Sequence, residues 1–107
     1  MANHTLAQAV QEKLETVGNV RHIPMMGGYI FYYREKVIGG IYEPGFMLKV
    51  CPTSLRLLKG FPMLSPYEGA KQMILVDQLD QLDFLEDLLE GMYQELPERK
   101  PRKSKKN

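Results

Sequence analysis

Tryptophan is absent from these 107 residues, and cysteine occurs once, as Cys51. A single thiol excludes an internal disulfide and any zinc cage built from several thiolates. No apolar run approaches the roughly 18 residues that a membrane-crossing helix needs. Residues 1–18 are polar and amphipathic, without the basic start, apolar centre and small-residue cleavage site of a secretory leader. These absences point to a cytoplasmic chain that stays off the membrane. Histidine is scarce as well: His4 and His22 are isolated from one another, and neither sits in a metal-binding spacing. Met25-Met26-Gly27-Gly28 has the glycines of a phosphate loop but not its lysine or its following helix. No catalytic, metal-ligating or cofactor-binding set is expected.

What is present describes one globular domain. Apolar residues make up 44% and charged residues 25%, enough for a single buried core at this length. The net charge of +1 hides an asymmetry. Residues 98–107 carry six cations, Arg99, Lys100, Arg102, Lys103, Lys105 and Lys106, against one acid. Residues 1–97 are left with eight basic and twelve acidic side chains, a mildly acidic body. The basic tail has almost no apolar surface to offset its ordering entropy, so it reads as a disordered extension of a domain at 1–97.

Hydrophobic spacing sets out the elements in order. A helix is expected from His4 to Val17, with Leu6, Val10, Leu14 and Val17 on one stripe. Four β segments follow, at Val20–Pro24, Tyr29–Tyr33, Val37–Tyr42 and Phe46–Val50. The first, ending in Pro24, suits a sheet edge. Arg34-Glu35-Lys36 is a polar connection that makes a hairpin of the second and third. Glu43-Pro44-Gly45 reads as a type II turn, with proline in the first central position and glycine in the second. Gly39-Gly40 inside a strand predicts a bulge or a helix close against bare backbone. Thr53 can cap a short helix over Ser54–Lys59, Phe61–Gly69 is loop-like, and Met73–Val76 is a buried strand. The last helix, capped at Asp80, repeats its apolar pairs through Leu85, Leu88, Leu89 and Met92 and stops at Pro97. Glu86, Asp87 and Glu90 are expected on its solvent face. The order α-β-β-β-β-α-β-α is an α+β fold, an antiparallel sheet with helices packed on one face.

Three stretches resemble the N-terminal domain of the TfoX/Sxy competence regulators. They are Pro24-Met25-Met26-Gly27-Gly28-Tyr29 ahead of an aromatic strand, Leu48-Lys49-Val50 after a tight turn, and Pro66-Tyr67-Glu68-Gly69-Ala70-Lys71 before an apolar strand and a final helix. The likeness spans Val20 to Pro97. It implies a secretion-chaperone-like α+β sandwich and a bacterial regulatory role in competence or transcription. It implies no catalytic residues and no cofactor. In two-domain members a helical domain follows this one. Gly28 stands where single-domain relatives often carry glutamate, and Ile23-Pro24 where many members are basic.

Each remaining candidate has two readings. Met25 and Met26 can form an adaptable recognition loop, or a turn at the core edge. Tyr67 and Glu68, with Tyr32 and Tyr42 from the sheet, can make a protein-binding patch or the rim of an ordinary core. Cys51 can be a nucleophile served by His22, or a buried strand-end thiol. Asp80, Asp83, Asp87 and Glu90 lack the ligand order of a calcium loop and read as a solvated helix face. The tail can bind nucleic acid weakly through charge, without aromatics for base stacking, or simply solubilise the chain. Another protein is the expected partner, and a second copy pairing through the Val20–Pro24 edge is the other possibility.

Overall fold

The computed structural model describes residues 4–25, 27–76 and 84–96. The elements are α1 (His4–Leu14), β1 (Val20–Met25), β2 (Gly28–Tyr33), β3 (Lys36–Tyr42), β4 (Gly45–Leu48), α2 (Pro52–Leu57), β5 (Met63–Leu64), β6 (Met73–Leu75) and α3 (Leu85–Glu95). The fold is α+β, with a fully antiparallel six-stranded sheet in the order β1-β2-β3-β4-β6-β5. Four strands form a meander. The chain then leaves through α2 and returns to place β6 beside β4. The short strand β5 lies within the stretch expected as loop. Partners supplied by β6 create it: the Pro62 carbonyl accepts from the Leu75 N–H at 2.8 Å. The Asp80 cap, Asp83, Pro97 and the basic residues of 98–107 lie outside the described residues.

Two turns differ from expectation. The β2–β3 turn has two residues, Arg34 and Glu35, both left-handed, at φ 51° and 73°. That conformation costs an L-residue about 1–2 kcal/mol. Two exposed ion pairs hold it, Arg34–Glu90 at 3.1 Å and Arg21–Glu35 at 2.8 Å. Lys36 belongs to β3 instead and donates to the carbonyls of Tyr93 and Leu96, at 2.6 and 3.0 Å. It thereby satisfies carbonyls at the C-terminal end of α3. In the β3–β4 turn Tyr42 pairs with Gly45, so Pro44 is the second central residue, not the first. Gly45 opens β4 at φ 140°, a backbone geometry that favours glycine.

The sheet's two faces are unlike. One packs Phe31, Tyr33, Ile41, Phe46, Leu48 and Ile74 against α1 and α3 in one buried cluster. From α1 come Ala7, Val10 and Leu14, whereas Leu6, expected on the stripe, is exposed. The register shift between Phe31 and Tyr32 lets Ile38 bulge into this core, with Gly39-Gly40 beside it. From α3 come Leu85, Leu88, Leu89 and Met92, the expected set.

α3 is also tied down by polar contacts that its helical pattern did not disclose. Glu90, expected in solvent, accepts a hydrogen bond from the Tyr33 hydroxyl and pairs with Arg34. Thr53, expected to cap α2, is buried inside it. Cys51 is the N-cap, and its N–H donates to Ser54 Oγ at 2.9 Å. Thr53 donates its N–H and Oγ1 to the Glu95 carboxylate, at 2.7 and 2.6 Å. α2 and α3 meet closely where Gly91 faces Thr53. A Cβ on Gly91 would lie 2.5 Å from the threonine's Cγ2 and Oγ1.

The β1 edge is guarded. The Arg34 N–H bonds the Asn19 carbonyl at 2.8 Å. By the alternation of antiparallel ladders, Val20, His22 and Pro24 then turn their backbone polar groups outward. Gln11 of α1 donates Nε2 to the outward Val20 carbonyl at 2.8 Å. Its Oε1 must then accept from His22 Nδ1, 2.8 Å away. The His22 ring stacks on Phe31 at 4.8 Å, and desolvation, with His4's charge adding to it, lowers its pKa. Pro24 has no outward N–H to offer.

Two measurements check this packing. Gly91→Ala should destabilise the domain by about 1–3 kcal/mol through overpacking, although alanine is the better helix former by about 1 kcal/mol. Leu88→Ala sets the scale at about 2–5 kcal/mol; urea melts compare the two. Glu95 supplies the second. Its pKa lies below the ordinary 4.5, chiefly because Thr53 Oγ1 and then the Thr53 N–H donate to the carboxylate. A depressed folded pKa means that the unfolded chain binds the proton more readily. The contribution is therefore complete above pH 4.5 and lost as pH falls through the folded value. Urea melts between pH 7 and 3 should show that acid loss reduced in Glu95→Gln.

Candidate functional site

Strand register places three rows of side chains on the sheet face that no described helix covers. The first row runs Met25, Gly28, Tyr42 and Gly45 across β1 to β4. The second runs Ile23, Ile30, Gly40, Met47 and Leu75. In the third, Arg21, Tyr32 and Val37 lead toward Lys49, Met73 and Leu64. Antiparallel partners share a face, so these residues form one surface.

Glycines shape that surface. Gly28 and Gly40 leave two places bare, and the Tyr42 ring lies over the second of them. A Cβ on Gly40 would sit 3.1 Å from the Tyr42 hydroxyl oxygen and 3.2 Å from Cε2. Tyr67, from the loop after β5, leans on Tyr42 with ring centroids 6.2 Å apart at 54°. Burial, and next to it Tyr67, raises the Tyr42 pKa. Beneath, Met47 is fully buried although it stands outside the helix-covered core. At the β1 end, the Arg21 guanidinium lies 4.2 Å over the Tyr32 ring.

The 65–72 loop turns this surface into a groove of about 410 Å³. Val37 and Met73 give it apolar walls, Tyr42 and Tyr67 aromatic ones, and Lys49 and Lys71 its charge. Among the described residues no acidic side chain lines it, and neither lysine pairs with an acid. Glu43 and Glu68 are exposed on the flanking turn and loop.

The sequence candidates separate accordingly. Tyr42 and Tyr67 come together, and Tyr32 shares their face. Tyr67 is 64% exposed and Glu68 is exposed beside it in the chain. Met25 is 48% exposed at the end of β1, one bare strand from Tyr42, so it does not fill the core edge. Met26 lies outside the described residues. His22 on β1 and Cys51 after β4 are three strands apart and form no nucleophile–base pair. Asp87 is exposed, and Glu90 serves Tyr33 and Arg34. Among the described residues no three His, Cys, Asp or Glu side chains gather as a metal site. No described helix is long and apolar enough to cross a membrane.

Nothing in the sequence marks Lys49, Lys71, Val37 or Met73 as site residues, although they fall in its strands and motifs. The tyrosines were visible as residue types suited to interfaces. The lysines acquire meaning only from the neighbouring of β4 with β6, which no local signal announces.

Tyr42 reports directly on the loop that roofs this groove. Tyr67→Ala uncovers its ring, so its pKa should fall back toward the ordinary 10.0 as desolvation is relieved. Carbon NMR of ring-labelled tyrosine across an alkaline titration measures the shift. An unmoved Tyr42 would mean that the loop does not shield it.

No family model, curated protein or solved structure matches the chain.

Proposed function

We propose that this domain is a non-enzymatic, protein-binding regulatory module of the TfoX/Sxy N-terminal type, which docks its partner on the sheet face free of described helices. The observation that carries this reading is the exposed apolar and aromatic strip on that face. Ile23 is 38% exposed and Met25 48% at the β1 edge, Leu64 38% at the β5 edge, and Tyr67 64% against the Tyr42 ring. Such a strip is where a partner gains area at low entropic cost, because tyrosine rings are rigid. Among the described residues the titratable groups of this face are tyrosines, lysines and the paired Arg21, a set suited to contact with a partner. The element order and the motif at Pro66–Lys71 support the family comparison. By it, the partner belongs to bacterial competence or transcription control.

A photoreactive benzoyl-phenylalanine in place of Tyr67 tests the docking face in living cells. A discrete protein adduct should form, and it should weaken when Tyr42→Ala is added. The same probe at Gln94, exposed on α3, is the control. Adducts of equal yield from both positions would remove this face as the docking surface.

A further inference from the structure

We infer that the groove under the 65–72 loop takes an acidic, extended segment of a partner protein. This names the partner chemistry of the docking face and rests on that reading.

Charge is the first reason. Elsewhere on the sheet, cations are matched. Arg21 pairs with Glu35, Arg34 with Glu90, and Lys36 caps the end of α3. Lys49 and Lys71 are the exception, two cations in one groove with no acid in its lining among the described residues. The contrast is sharper because residues 1–97 carry eight basic and twelve acidic side chains. A cationic groove in an acidic body selects a ligand whose carboxylates are local to it.

Shape is the second reason. About 410 Å³ suits a few side chains and not a folded domain. The two lysines fit carboxylates, while Val37, Met73 and the Tyr42 and Tyr67 rings fit one apolar or aromatic side chain between them. A segment alternating acidic and apolar residues meets both demands. The chain's own basic residues 98–107 do not, since the lysines repel them. A nucleic acid fits less well than a peptide: its many phosphates meet two cations here and a net-acidic body around them.

NMR titration of the 15N-labelled full-length chain tests this. The probes are an end-blocked peptide alternating glutamate and phenylalanine, its lysine-for-glutamate counterpart, an oligoglutamate of equal charge, and a single-stranded oligonucleotide of equal charge. The alternating peptide should saturate, shifting residues 42, 49, 67, 71 and 73. Oligoglutamate and oligonucleotide should bind at least tenfold more weakly, and the lysine peptide not at all. Lys49→Glu with Lys71→Glu should weaken the alternating peptide at least tenfold while the spectrum stays dispersed. If that variant does not fold, Lys49→Gln with Lys71→Gln replaces it, with the same direction expected. Shifts confined to 98–107, equal affinity for the oligonucleotide, or indifference to the lysine substitutions would overturn the inference. A partner crosslinked at position 67 through a segment without acidic residues would leave the docking face standing and dismiss this occupant.

Discussion

The closeness of α2 and α3 at Gly91 and Thr53 governs how the rest of the chain is placed. With no side chain on Gly91, α3 lies directly against the buried Thr53. That proximity brings the Glu95 carboxylate onto the Thr53 N–H and hydroxyl. Along the same helix, Leu88, Leu89 and Met92 are fully buried in the core. Its polar neighbours engage in turn: Glu90 reaches Tyr33 and Arg34, and Lys36 closes the helix's end. A glycine in a helix interior is a local liability of about 1 kcal/mol. Here it lets hydrophobic, hydrogen-bonded and ionic contacts form together.

Because α1 and α3 share one face, the opposite face carries no described helix, only side chains and the 65–72 loop among the described residues. It is apolar in the middle, aromatic at one end and cationic beside the loop. Its buried members, Tyr32, Met47 and Met73, lie outside the helix-covered core. The two faces differ accordingly. One is closed around the core, and the other keeps apolar surface in contact with water, which is where we propose that a partner docks.

Periodicity disclosed the meander, α3 and its buried leucines, because long patterned segments report their own burial. It failed where a residue's role is decided by a distant one. Thr53 has the chemistry of a cap, yet a carboxylate forty-two positions away claims it. Glu90 sits in the polar pattern of its helix, while Tyr33 waits across the packed interface. Turn preferences put Pro44-Gly45 at the centre of a turn, and the pairing of Tyr42 with Gly45 shifts the frame by one residue. Of the site, the tyrosines were legible by type. The groove was not, since β6 inserts between β4 and β5 and only that order puts Met73 and Lys71 beside Lys49.

Gln11 gives the sheet a direction of growth. Its amide covers the outward carbonyl of Val20 and engages His22, and Pro24 has no N–H to give, so a strand arriving at β1 finds few groups to bond. The far edge, β5, has two residues and no such bracket from a described helix. A sheet with two open edges is a repeat unit, able to add copies end upon end into a fibre. A sheet with one open edge can meet a second copy there, or a single strand, and then it is finished. For a chain this rich in apolar strands, the bracket from α1 works against end-upon-end addition at β1.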